Sequence, residues 1–180
     1  MKLLKFLPNR VWRVYRGGAC LDKLRSVPEP ADGSFPEEWI ASTVAALNPQ
    51  HGCPGEGISR VLLPDGSAEP FDRVLEREAE SLLGPNHPAS AGKTPGFLTK
   101  LLDSAIRLPI QAHPDRTASQ RLFHSPYGKT EAWIVLGGRR INGEEPYLLM
   151  GFNDRFDFEV FRREALSGIM KQTLGMMHRY

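Results

Sequence analysis

The apolar positions change period along the chain, and the changes mark its elements. Phe71, Val74, Leu75, Ala79, Leu82 and Leu83 recur at helical spacing, with Asp72 near the start and Gly84-Pro85 as a stop, which predicts a helix across these positions. From Leu108 onward the pattern becomes strand-like. Leu108–His113, Ala132–Leu136 and Tyr147–Phe152 are rich in aliphatic and aromatic residues, and Gly137-Gly138 and Asn142-Gly143 mark turns between the last two. Thr117–Phe123 reads as a short helix inserted between the first two strands. Beyond Phe152 the spacing of Phe158, Phe161, Ala165, Ile169, Met170, Leu174 and Met177 turns helical again, so residues 153–180 form a helical segment that packs against something. His178 falls in this helical context, and the methionines read as gap-filling core residues. Val27–Pro36 and Asn48–Gly57 carry loop chemistry, and Pro36–Ala41 reads as a short helix or turn with Trp39 facing inward.

Composition narrows the class. A chain of 180 residues with 41% hydrophobic content can bury one core, and the whole of it, 1–180, is read as one domain. Its 23 basic and 21 acidic residues are interspersed, giving a net charge of +2, too weak a field to indicate nucleic acid as a partner. Lys5 and Pro8 interrupt the apolar N-terminus before a secretory segment can form, and no apolar run approaches the ~20 residues of a membrane helix. Cys20 and Cys53 have no C-x-x-C partner and read as reduced thiols, although a single bridge between them stays open. These features point to a cytoplasmic protein with no membrane partner. Oligomeric state is not legible.

The candidate chemistry lies in Gln111-Ala112-His113-Pro114-Asp115 and, eighteen positions after His113, Glu131 in Gly128-Lys129-Thr130-Glu131-Ala132-Trp133. In an extended strand alternate side chains share a face. Gln111 and His113 can therefore point at one centre that a carboxylate on a neighbouring strand would close. One imidazole, one amide oxygen and one carboxylate suit zinc or another borderline divalent ion. The plainer alternative is a buried strand ending in a turn, with Gln111 a satisfied polar residue and Glu131 a surface acid. Asp115 could orient a neighbouring group. Lys100 can pack its stem between Leu98 and Leu101-Leu102 and present its ammonium to an anion, or simply reach solvent. His51, His87 and His124 lie in loops and read as exposed, and Arg139-Arg140 belongs to a solvated hairpin tip.

The run Pro95-Gly96-Phe97-Leu98-Thr99-Lys100-Leu101-Leu102-Asp103, then Leu108-Pro109-Ile110-Gln111-Ala112-His113-Pro114-Asp115, then Lys129-Thr130-Glu131-Ala132-Trp133, resembles the type I mannose-6-phosphate isomerases, zinc-dependent members of the cupin superfamily. Weaker echoes lie at Tyr15-Arg16-Gly17-Gly18 and Glu38-Trp39-Ile40-Ala41-Ser42. The resemblance implies a mainly β protein with flanking helices, of α+β class, built on an incomplete antiparallel cupin-like barrel, with residues 93–152 as its first motif region. It further implies interconversion of mannose 6-phosphate and fructose 6-phosphate, one zinc ion per chain held by Gln111, His113 and Glu131, Lys129 beside the reacting sugar, and Lys100 facing the phosphate of the hexose substrate.

Two departures qualify that implication. Pro109 stands where the family carries a serine that helps to hold substrate, and proline offers neither a hydroxyl nor an amide hydrogen. The family's fourth ligand, a histidine on a later strand, has no match after Glu131, where His178 is the only histidine. The chain by itself is therefore expected to turn over little. A non-catalytic metal-binding cupin serving sugar recognition, or an inactive part of a larger isomerase, remain the alternatives.

Overall fold

The computed structural model describes residues 3–87 and 92–180. The chain divides into two compact units, Met1–Gln111 and Ala112–Tyr180, with the boundary inside the expected motif region. No helix among the described residues is long and apolar enough to cross a membrane.

The first unit carries two three-stranded antiparallel sheets. In one, β4 (Arg60–Leu62) lies between β1 (Lys5–Phe6) and β5 (Ala68–Pro70). In the other, β3 (Glu37–Ile40) lies between β2 (Arg10–Val11) and β6 (Thr99–Leu102). Among the described residues, two helices accompany the sheets, α1 (Ala19–Leu24) and α2 (Phe71–Leu83). The apolar stripe of α2 behaves as its period requires: Phe71, Val74 and Leu75 are buried with Val61 of β4, and Phe6, Leu63, Leu82 and Leu83 pack around them. Phe6 meets Phe71 edge to face at 5.0 Å. Each fully buried aliphatic side chain of this cluster contributes about 1.5–3 kcal/mol. The helix begins after Pro70, with Asp72 in its first turn, and stops at Gly84, whose φ of 94° lies where L side chains are strained.

Pro36–Ala41 is not a helix or turn: Glu37–Ile40 is the central strand of the second sheet. The pattern misleads because a central strand normally reads as apolar, whereas this one buries two glutamates. Each has cations to meet it, Arg13 and Lys100 for Glu37 and Arg25 for Glu38. Trp39 does face inward. Gly17 joins the loops at either side, bridging to Gly33 and Ser104. A side chain there would collide with the Asp103 carbonyl at 1.9 Å.

The second unit contains α3 (Arg116–Phe123), β7 (Leu149–Phe152), α4 (Phe158–Ser167), α5 (Lys171–Gly175) and β8 (Met177–Arg179). Helix α3 matches its expected position, and Asp115 caps it by accepting the Ala118 N–H at 2.7 Å. Asn142 and Gly143 both take positive φ in a turn closed by the Ile141–Glu144 bridge, as an Asn-Gly pair should. The tail is helical through α4 and α5, but its last residues form β8 against β7, and His178 lies on that strand. Buried Glu164 of α4 caps α5 by accepting the Gln172 and Thr173 N–H groups. Met176 is buried there, and its sulfur accepts the Asp157 N–H.

Two expected strands do not form. Leu108–His113 and Ala132–Leu136 have no ladder, and Tyr147–Phe152 is reduced to β7 at Leu149–Phe152. Apolar alternation raises the propensity to pair but supplies no partner, and Trp133, Ile134, Val135 and Leu136 are 52% to 85% exposed. The class is α+β with small antiparallel sheets; among the described residues there is no closed barrel, and helical residues outnumber strand residues rather than the reverse.

Candidate functional site

In the second unit the backbone of Pro114–Arg116, which leads into α3, lies against Gly128-Lys129. The Lys129 N–H donates to the Pro114 carbonyl at 3.0 Å. Gly128 permits this approach, since a Cβ there would meet the backbone of Pro114, Asp115 and Arg116 at 3.0–3.1 Å. The capping bond of Asp115 to α3 fixes the other side of the segment. His113 and Glu131 are thereby brought together across eighteen residues without a shared sheet.

The geometry converges on one atom. His113 Nε2 lies 3.6 Å from Glu131 Oε2, and Lys129 Nζ lies 3.3 Å from the same oxygen. Burial pushes the Glu131 carboxyl up, but the Lys129 ammonium, then His113 and the Trp133 indole, outweigh it and hold it below the usual carboxylate range. Asp115 does not orient this group; it is committed to the helix cap.

A donor pair 3.6 Å apart fits a metal. Two ligands at about 2.1 Å from a tetrahedral ion stand about 3.4 Å from one another. Gln111, the third residue expected from the sequence, is exposed and is the last residue of the first unit. Among the described residues no three His, Cys, Asp or Glu side chains gather in a metal-binding group, and the expected set contains only two of those types.

Lys100 belongs to a separate cluster in the first unit. It stands opposite Trp39 in the β3–β6 ladder, so its side chain shares a face with Trp39 and Glu37. Its ammonium lies 3.2 Å from Glu37 Oε1. Glu37 also accepts from Arg13 at 3.0 Å, from the Trp39 indole at 2.7 Å and from the Tyr15 hydroxyl. Burial would raise the Glu37 pKa, yet Tyr15, Lys100, Trp39 and Arg13 together hold it at about 2. Burial and the adjacent Glu37 push the Tyr15 phenol well above its ordinary value. Arg13 continues the network to Asn48, which donates to Glu56. Lys100 is thus neither a free snorkelling lysine nor an unengaged point charge.

Sequence reasoning missed Glu37, Arg13 and Tyr15 as members of a buried charged cluster with Lys100. The signal was a Glu-Glu pair next to Trp39 with arginine and tyrosine at Arg13 and Tyr15. Acidic residues beside a buried tryptophan need cations, and alternation puts Glu37 on the tryptophan's face. Of the loop histidines, His51 stacks on Trp12 at 5.4 Å, and His87 is engaged with the Thr94 carbonyl at 2.6 Å. Arg140 pairs with Glu145 at the exposed hairpin tip. Cys20 and Cys53 are free thiols. Comparison with protein-family models, curated proteins and solved structures found no match.

Proposed function

We propose that this chain is a metal-dependent aldose–ketose isomerase of the mannose-6-phosphate type, with a cupin-type barrel as the finer architecture to which its sheets belong. The observation that carries the reading is the convergence of His113 and Lys129 on the single oxygen Glu131 Oε2. A metal ligand pair and a proton-carrying group at one carboxylate is one arrangement that can move a carbonyl between adjacent carbons.

Gln111, His113 and Glu131 would hold the ion, zinc by the chemistry of the donors. When bound, a divalent ion supplies stabilisation of developing negative charge on the sugar oxygens. Lys129, half-exposed and 3.3 Å from Glu131 Oε2, would carry a proton between C1 and C2, which requires it to act as the neutral amine. Lys100 would meet the phosphate, in exchange for part of its contact with Glu37.

A non-catalytic metal-binding role is the second reading, favoured by the commitment of Lys100 to a buried carboxylate and by Pro109. Both readings require the metal. Elemental analysis after mild dialysis should find one zinc-class ion per chain, falling sharply in His113→Ala and Glu131→Ala. Equal metal in all three proteins would refute the assignment. A coupled isomerase assay separates the two readings, with low turnover expected of the 180-residue chain. Turnover of about 1–1000 per second would show that the site is complete as it stands.

A further inference from the structure

We propose that Ala132–Leu136 is a self-association strand, along which two copies of this chain pair antiparallel about a two-fold axis at Val135, whether or not a metal is bound. Trp133, Ile134, Val135 and Leu136 are 52%, 85%, 69% and 79% exposed, so apolar side chains of both alternating sets meet water. A monomer rarely presents a contiguous apolar run of this size. No ladder claims its backbone.

Within the chain the natural partner is blocked. The Asn142-Gly143 turn is closed by Ile141 and Glu144, each donating its N–H to the other's carbonyl. In an antiparallel ladder every second pair is bonded in this way, so the next such pairs would be Arg139 with Pro146 and Gly137 with Leu148. Pro146 has no N–H. Leu148 already exchanges both of its bonds with Tyr180. The second arm of the hairpin is thus held by the end of the chain, and Ala132–Leu136 lacks the neighbour that its turn would have supplied.

A second copy supplies one. An isologous pair centred on Val135 sets Ile134 opposite Leu136 and Trp133 opposite Gly137, each twice. The indole then lies over a residue with no side chain, and nothing stands within 4 Å of the place a Gly137 Cβ would take. At their exposures the four side chains of one copy offer roughly 500 Å², so pairing withdraws roughly 1,000 Å² in all, the lower limit for a specific interface.

Sedimentation equilibrium of the full chain without metal, from about 1 to about 300 µM, tests this. The 20.1 kDa chain should pass reversibly from monomer to dimer and stop there, with a midpoint of about 10–100 µM. Val135→Lys, which places like charges face to face at the axis, should weaken the dimer by at least about tenfold while circular dichroism stays that of the wild type. Val135→Cys in a Cys20→Ser, Cys53→Ser background gives a second readout that does not need the lysine variant to fold. A residue opposite its own copy should form a disulfide-linked dimer under mild oxidation far faster than Lys171→Cys, an exposed position away from the strand. A chain that stays monomeric to about 300 µM, a dimer equally tight in folded Val135→Lys, cross-linking at position 135 no faster than at 171, or association that continues past the dimer each overturns the proposal.

Discussion

Glu37→Gln removes one negative charge from a strand position that encloses it among two cations, a phenol and an indole, with almost no change in side-chain volume. Glu37 is ionised at about 2 in the fold against an ordinary 4.5. The unfolded chain therefore takes up the proton more readily than the folded one as pH falls. The stability that Glu37 contributes is complete above about pH 4.5 and is lost as pH falls toward about 2. At about 1.4 kcal/mol per pH unit, the gap between those values corresponds to about 3 kcal/mol. Breaking a buried pair by removing one partner costs about 3–5 kcal/mol, and Arg13 and Lys100 retain 20% and 28% exposure with which to regain water. The glutamine amide also still accepts one hydrogen bond. The expected loss at neutral pH is about 2–3 kcal/mol. Urea unfolding followed by tryptophan fluorescence measures it, in a Trp133→Phe background so that Trp12 and Trp39 of the first unit report. The stability gap between the parent protein and its Glu37→Gln variant should shrink as pH falls from about 4.5 toward about 2. A gap that persists undiminished at the acid end, or no gap at neutral pH, would refute the account of Glu37 as the charged centre of this sheet.

Lys100→Met should weaken calorimetric affinity for mannose 6-phosphate and flatten its salt dependence, since a lysine acts on a phosphate mainly as a point charge; unphosphorylated mannose binding as tightly as its phosphate ester would exclude a phosphosugar. Gly17→Ala should lower the thermal midpoint of the first unit by the equivalent of at least about 2 kcal/mol, because the new Cβ would stand 1.9 Å from the Asp103 carbonyl. A midpoint equal to wild type would show that the loop yields freely. Asp115→Ala should cost about 1 kcal/mol through loss of the α3 cap and should loosen the segment that carries His113, so zinc affinity and helicity should fall together. Retained helicity with lost zinc affinity would instead assign Asp115 to the ion.

The helical parts of the fold were legible because their signals are local. The stripe of α2, its Gly84 stop, the Asn142-Gly143 turn and the span of α3 each depend on residues within a few positions of one another. The strands were not, because a strand is defined by its partner. Glu37–Ile40 has neighbours on both sides and forms despite a polar sequence, whereas Ala132–Leu136 has an apolar sequence, lacks a ladder and stays exposed. The His113–Glu131 contact was anticipated from residue types, but the device that makes it, Gly128 against Pro114–Arg116, is a backbone approach that no periodicity announces. Lys100 was singled out for its charge, and its true neighbour was hidden in a stretch, Pro36–Ala41, that read as a short helix or turn.

The partner of Lys100 changes what it can do for an anion. Glu37, Arg13 and Lys100 together leave one net positive charge, and a further acid, Glu56, reaches Arg13 through Asn48. An approaching phosphate thus meets a cluster whose positive excess is partly answered two hydrogen bonds away. It must share Lys100 with a carboxylate that its four partners, against the pull of burial, keep ionised throughout the neutral range. Attraction here comes from local geometry more than from a long-range field, so it should resist salt better than an unpaired lysine would. The same carboxylate that stabilises the sheet opposes the anion. Stability and phosphate affinity should therefore move in opposite directions in Glu37→Gln, and that opposition distinguishes a lysine held ready for a ligand from one whose whole role is to neutralise a buried acid.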